Sequence, residues 1–146
     1  MTSRQQQYEN TMNLYDLFET KTPKTLHDAL TDFLPIAMKH LQIDTLPKIK
    51  LIAGDTDGHD ASFGKYENSK QIITLSVKNR QPVDILRTLA HELVHFRQDK
   101  DDELDDTSWH TGSPEENEAN AEAGIIMRLF DGKFPHYLDL KPINLP

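Results

Sequence analysis

Two histidines, His91 and His95, stand four residues apart in a segment of this 146-residue chain whose apolar residues recur at helical spacing. At 100° per residue, the apolar side chains of residues 84–98 gather on one side of a helical wheel, namely Ile85, Leu89, Leu93 and Phe96, with Leu86 and Ala90 at its margin. The polar side chains gather on the opposite side, namely Asp84, Thr88, His91, His95 and Gln98, with Glu92 at its edge. The pattern predicts a helix from Pro82 to about Gln98 that is anchored on one side and presents two imidazoles on the other.

His91-Glu92-Leu-Val-His95 has the spacing of a metal-binding motif. Imidazoles four residues apart can reach one metal ion, and a glutamate next to the first can reach a water on that metal without being a ligand. With the His and Glu content of this chain, chance placement gives only about 0.02 such motifs. A helix face that simply meets solvent is the alternative, but such a face usually carries Lys and Glu. The motif therefore predicts a metal site.

A catalytic zinc normally has three protein ligands, so a third is expected downstream. Of the acids on the last predicted helix, from Ser113 to about Phe130, only Glu116 shares the apolar stripe of the wheel. Glu115, Glu118 and Glu122 point about 100° or more away, toward the expected solvent side. A carboxylate that points into a core needs a partner, and a metal ion would supply one.

Two alternatives remain open at this point. Ser113-Pro-Glu-Glu116 is also a capping box, in which the Glu116 carboxylate would bond back to the backbone of Ser113. His110, in the connection between the two helices, could be the third ligand if that connection folds back. Asn120, one turn beyond Glu116, is expected to hydrogen-bond a ligand histidine and fix its tautomer.

The rest of the chain predicts an α+β domain. Residues 25–41 form an apolar helical stripe that contains Pro35, so a kink or a break into two helices is expected near Phe33. Residues 48–52, 62–66 and 71–77 read as strands, and the last two flank a hairpin turn. We predict an N-terminal arm or short helix at residues 1–23 and one domain at residues 24–146.

Composition excludes several classes of protein. The net charge of −8 argues against binding to nucleic acid or to anionic membranes. The absence of cysteine excludes disulfides, thiolate metal sites and cysteine nucleophiles, so a metal must be held by His, Asp, Glu and water. No apolar run is long enough to span a bilayer, and the polar start lacks the pattern of a signal peptide. A cytoplasmic protein is expected.

The two motifs together resemble those of the gluzincin metallopeptidases. Gluzincins have His-Glu-x-x-His on one helix and a glutamate ligand on a later one, and the matching residues here are His91, Glu92 and His95, then Glu116 to Asn120. The segment Glu-Asn-Glu-Ala-Asn-Ala-Glu-Ala looks most like compact members, such as minigluzincins and the ImmA/IrrE-type proteins of mobile elements. A helix, a small antiparallel sheet and two active-site helices are also similar to the minimal zincin core.

The resemblance implies a zinc-dependent peptidase that acts on a protein or peptide, in the host cytoplasm if the chain is phage-encoded. His91, His95 and Glu116 would bind Zn²⁺, and Glu92 would be the general base. His110, His136 and Tyr137 are candidates for the residue that stabilises the oxyanion, and residues 62–66 for an edge strand that pairs with the substrate. SprT-like proteases, which take a histidine as third ligand, favour His110 in that position. A non-catalytic zinc-binding interaction domain is the alternative that is not an enzyme.

Overall fold

The structure, a computed structural model, describes residues 24–54 and 63–143. Its elements are α1 (Lys24–Leu41), β1 (Lys48–Ile52), β2 (Gly64–Glu67), β3 (Ile72–Ser76), α2 (Pro82–Lys100), α3 (Pro114–Lys133) and a short 3₁₀ helix (Pro135–Asp139). This order confirms the α+β class and the presence of three strands. The arm or short helix expected at residues 1–23, and residue 62 at the start of the second expected strand, lie outside the described residues.

Of the kink or break expected near Phe33, the break is wrong, because helix α1 runs through Pro35 as one helix. A proline inside a helix removes one backbone hydrogen bond and crowds the preceding turn. Here the helix is held on both sides of the proline by fully buried side chains, Leu30 and Phe33 before it and Ala37 after it. The ring of Phe33 also packs edge-on against that of Phe130 on α3, with the ring centroids 5.8 Å apart. Tertiary packing therefore outweighs the local cost of the proline.

The three strands form one sheet in the order β1-β3-β2. β2 and β3 pair as the expected antiparallel hairpin, with Tyr66 opposite Ile73. β1, however, pairs with β3 in parallel, with Ile49 opposite Ile73, so the sheet is mixed and not purely antiparallel. The alternation of polar and apolar residues shows which face of a strand is buried but carries no information on its direction. β1 and β2 therefore lie on opposite sides of β3.

Helix α2 is the centre of the molecule, because it contacts α1, α3, β2 and β3. All the apolar residues that the wheel places on its inner side or margin are buried, and so are Val94 and three polar residues on the other side. Both sides of α2 are therefore covered, one by the sheet and α1 and the other largely by α3. Among the described residues, no helix combines the length and apolar character needed to cross a membrane.

Candidate metal centre

From His91 onward, the polar side of α2 faces α3 instead of solvent. His95 is 1% exposed and Gln98 is 0% exposed, although both lie on the polar side of the wheel. The facing stripe of α3 contains Ala119 and Ala123, both buried, whose small side chains let the two helices approach closely. Polar side chains of α2 therefore lie where the two helices meet, and polar groups that are buried need hydrogen-bonding partners.

Their principal partner is Glu116, at the start of α3. Its Oε1 lies 2.8 Å from Nε2 of His95, and its Oε2 lies 3.3 Å from Nε2 of His91. The two Nε2 atoms are themselves 3.2 Å apart. One ligand atom from each of the three residues therefore lies within 4.8 Å of the others. The structure brings together the three residues that the sequence nominates as metal ligands.

Gln98 fixes the tautomer of His95. Nδ1 of His95 lies 2.8 Å from Oε1 of Gln98. The amide nitrogen of Gln98 donates to the carbonyl of Glu115 at 3.0 Å and to Oε1 of Glu118 at 2.8 Å. Because both of those groups can only accept, the amide oxygen of Gln98 must face the imidazole, and His95 must donate from Nδ1. In the neutral imidazole, the lone pair on Nε2 of His95 therefore points at Glu116.

Glu118 supports this arrangement from the outside of the site. Its carboxylate accepts hydrogen bonds from Gln98 and, at 2.6 Å, from Arg97. These hydrogen bonds, led by that from Gln98, hold the pKa of Glu118 below its usual range. Of the three acids expected on the solvent side, Glu118 keeps a side chain that is 41% exposed. Glu122 instead pairs with His40 on α1, and Oε2 of Glu115 is buried, so the expectation is wrong for these two. A helical wheel shows the direction in which a side chain points, but not which residues of other elements it will contact.

The capping role and the ligand role of Glu116 do not compete. Ser113 caps α3 by accepting a hydrogen bond from the backbone N–H of Glu116 at 3.1 Å. Its hydroxyl donates to the carbonyl of Ser108 at 2.6 Å, and its own backbone N–H donates to the carbonyl of His110. The Glu116 carboxylate is not needed for the cap, since that backbone N–H is already satisfied. Only the serine half of the capping box is used, and the carboxylate is left to face the imidazoles.

Asn120 hydrogen-bonds His91 through its side chain, one helical turn beyond Glu116. The sequence predicts a hydrogen bond from Asn120 to a histidine of the group, and the control of its tautomer stays a prediction. Burial lowers the pKa of His91, and the neighbouring His95 lowers it further, while Glu116 and Asn120 act in the opposite direction. A lowered pKa keeps the imidazole neutral, which is the form that binds metal.

Glu92 lies in the same cavity as His91 and Asn120, a space of about 380 Å³ between α2, α3 and β2. Burial, followed by the charge of Glu116, raises the pKa of Glu92 to about 8, while a hydrogen bond from the backbone of Tyr66 acts against this. Close approach of β2 to the helix depends on Gly64. A Cβ at Gly64 would lie 2.3 Å from Cγ2 of Thr88 and 3.4 Å from Cγ of Glu92.

The donor set fits a divalent metal ion. Two lone-pair-bearing groups at 2.8 Å, Nε2 of His95 and a Glu116 oxygen, repel each other unless a proton or a metal ion lies between them. Four donors arranged as a tetrahedron about an ion at about 2.0–2.1 Å are about 3.3 Å apart. The spacings of 3.2 and 3.3 Å that involve His91 agree with this geometry. The group could therefore hold a metal ion with a small movement of Glu116.

Other residues nominated by sequence lie elsewhere. His110 is exposed and is not part of the His91, His95 and Glu116 group found among the described residues. His136 is also exposed, and its ring lies against that of Tyr137, with the centroids 4.1 Å apart. The Tyr137 hydroxyl donates to Asp32 on α1 at 2.6 Å, so in this conformation it is committed there. The structure does not bring these three residues together with the ligand group.

Two residues of the site were not assigned a role from the sequence. The position of Gln98 on the polar side of the α2 wheel, three residues after His95, is the sequence feature that could have indicated a contact with that histidine. Trp109 packs its ring edge-on against His95, with the centroids 5.2 Å apart, while remaining 42% exposed. It lies in an irregular connection, where no periodic pattern indicates which way a side chain points.

Comparison with known proteins gave no match: no family model, no curated protein sequence and no solved structure matches this chain. The interpretation of the site therefore depends on its own geometry and chemistry.

Proposed function

We propose that this protein is a zinc-dependent peptidase in which His91, His95 and Glu116 hold the metal and Glu92 is the general base. The single observation that carries the proposal is the convergence of two imidazole nitrogens and the Glu116 carboxylate on one point, with a second carboxylate, that of Glu92, in the cavity that His91 also lines. A site that only stabilised the fold would not need the second carboxylate. Two nitrogen donors and one oxygen donor are a typical set for catalytic zinc, which keeps a fourth position open.

Zinc bound there would act as a Lewis acid toward the peptide carbonyl and would lower the pKa of a bound water to about 7. The tautomer that Gln98 imposes on His95 directs the Nε2 lone pair toward the ligand group. Asn120 orients the second imidazole, that of His91. Such outer hydrogen bonds hold the ligands in place before the ion arrives.

Glu92 is proposed to accept a proton from the attacking water and to deliver it to the nitrogen of the leaving amine. Burial and the nearby Glu116 charge give the metal-free carboxyl a high affinity for protons. A bound cation opposes both effects, because positive charge stabilises the carboxylate form. Glu92 would therefore be ionised and ready to accept a proton only when the metal is present.

The substrate is proposed to be an extended peptide that pairs with β2. This strand lies at one edge of the described sheet and borders the cavity that contains Glu92. An edge strand offers unpaired backbone groups that an extended chain can use. Gly64 allows the strand to lie directly against α2, which keeps such a peptide near the ligand group.

The decisive experiment combines metal analysis with hydrolysis of an unfolded protein substrate. The zinc-loaded wild type should bind one zinc and cleave the substrate, and Glu92→Gln should bind zinc equally well but fail to cleave. His91→Ala should lose both properties. Absence of zinc uptake by the metal-free wild type, or full hydrolysis by Glu92→Gln, would contradict the proposal.

A further inference from the structure

Arg87 lies one helical turn before His91 on α2, so the two side chains share a face of the helix. Arg87 lines the cavity that contains His91 and Glu92. It also lines a second cleft, of about 610 Å³, formed by the first turns of α2, the segment before it and the 3₁₀ helix. Phe63 is the other residue common to both spaces. The cleft is therefore a direct continuation of the candidate active site.

The walls of this cleft are more basic than the chain as a whole, which has a net charge of −8. The cleft is lined by three cations and two carboxylates, namely Lys78, Arg80, Arg87, Asp84 and Asp131. Its apolar part includes the side chains of Phe63 and Leu138, which are 53% and 47% exposed. An excess of positive charge beside apolar surface is unexpected in so acidic a protein.

Arg80 is not available to a ligand. Its guanidinium is almost fully buried and donates to Asp84, to the carbonyl of Ser76 and to Thr88. It also lies over the ring of Phe63, 4.4 Å from the centroid. Arg80 therefore neutralises Asp84 and shapes the wall.

Arg87 differs from Arg80 in this respect. Within residues 24–54 and 63–143, no carboxylate lies within the 4.0 Å of its guanidinium that would make an ion pair. Asp131 is near enough for the charge of Arg87 to lower its pKa, but burial of Asp131 is the larger effect and raises it. A guanidinium has five donors in a planar fork that matches a carboxylate. Arg87 is therefore the cation best placed to receive an anionic group.

We infer that this cleft binds a carboxylate of the substrate peptide, through Arg87, one helical turn from the metal ligands. The inference rests on the proposed peptidase function and adds a preference for acidic peptides. The carboxylate would belong either to an Asp or Glu side chain or to the C-terminus of the peptide. The aliphatic part of the bound residue would pack on Phe63 and Leu138, which explains why apolar surface lies next to the cation.

Peptide binding tests the inference without requiring hydrolysis. Glu92→Gln protein would be immobilised, with and without zinc, and exposed to mixed-sequence peptides with either free or amidated C-termini. Bound peptides would be identified by mass spectrometry. Arg87→Gln and Arg87→Glu would be introduced into the same background. Arg128→Gln is the matched control, because Arg128 is an exposed arginine on α3 that lines neither cavity.

Enrichment of Asp and Glu at one position in both libraries would assign the cleft to an acidic side chain. Capture of the free-acid library alone would assign it to a C-terminal carboxylate. In either case Arg87→Gln should lower the affinity of the enriched peptides about tenfold, and Arg128→Gln should leave it unchanged. Arg87→Glu should reverse the preference toward Lys and Arg.

Equal binding of acidic and neutral peptides, or an acidic preference that survives in Arg87→Gln, would overturn the inference. Failure of the peptidase proposal gives a different result. In that case zinc-loaded wild type would not cleave any peptide, whereas the Arg87-dependent acidic preference in binding would remain. Cleavage without an acidic preference would leave the peptidase proposal standing and remove the acidic subsite.

Discussion

Nδ1 of His95 is 2.8 Å from Oε1 of Gln98, the side chain three residues further along the same helix. Gln98 therefore controls which nitrogen of His95 can bind a metal. Gln98→Leu should remove this control and lower zinc affinity roughly 10- to 100-fold. Titration calorimetry would measure the affinity, and nitrogen chemical shifts of the His95 ring would report its tautomer. Gln81→Leu, at an exposed residue before α2 whose side chain makes no cap bond, is the control. Unchanged affinity in Gln98→Leu would exclude this role.

In the metal-free protein, the contribution of Glu92 to folding stability should fall as pH rises from about 5 to 8. The pKa of Glu92 is raised to about 8 in the folded protein, from an ordinary value of 4.5. Between these values the folded state binds more protons than the unfolded state, so folding stability falls as pH increases. Glu92→Gln should remove this contribution, making the metal-free variant more stable than wild type at pH 8 by on the order of 4 kcal/mol.

Urea unfolding in the presence of a chelator, at pH 5 and pH 8, would measure this difference. Glu103→Gln is a matched control, because Glu103 is exposed and lies in the connection after α2. Parallel pH profiles for wild type and Glu92→Gln would show that Glu92 does not titrate in this range.

Gly64→Ala should destabilise the protein by about 1–3 kcal/mol, because the new methyl group would overlap Cγ2 of Thr88. Thr88→Ser deletes that methyl group and keeps the hydroxyl that binds Arg80. The double variant should therefore recover much of the loss, and a double-mutant cycle of unfolding free energies would measure the coupling. Gly124→Ala, a helical position with no atom within 4 Å of the new Cβ, should be neutral or stabilising. Additive losses at Gly64 and Thr88 would refute the proposed overlap.

The two roles at the start of α3 should be separable by mutation. Ser113→Ala removes the cap and should cost about 1 kcal/mol of stability, with Glu116 still able to bind zinc. Glu116→Gln keeps the backbone N–H that the cap uses, so helix content should be retained while zinc affinity falls by more than roughly 100-fold. Circular dichroism and titration calorimetry on both variants would test this. Normal zinc binding by Glu116→Gln would exclude Glu116 as a ligand.

The helices and the grouping of His91, His95 and Glu116 could be predicted from the sequence because each depends on a periodicity. Four-residue spacing places His91 and His95 on one face whatever the tertiary structure, and the apolar stripe of α3 directs Glu116 inward. The parallel pairing of β1 with β3 could not be predicted in this way, because the alternation of polar and apolar residues carries no information on strand direction. The expected break at Pro35 follows from the local free-energy cost of a proline inside a helix. The buried side chains before and after Pro35 outweigh this cost and keep α1 continuous.

The supporting residues were harder to predict for a related reason. Gln98 and Glu118 act through each other and through Arg97, so the role of each depends on contacts between two helices. A wheel drawn for one helix cannot show such a network. Tyr137 shows the same dependence on tertiary contacts, since its chemistry suits an oxyanion donor while its hydroxyl donates to Asp32 on α1.

The ligands of the candidate metal centre come from two helices joined by an acidic connection, residues 101–113. In a chain without cysteines, a bound ion is a means of cross-linking these helices. Zinc binding would link His95 to Glu116 across that connection. By mass action, the fraction of molecules linked in this way would rise with the free zinc concentration. Resistance of the connection to proteases would then follow zinc supply, so the survival of the protein in a cell would depend on the same ion as its activity.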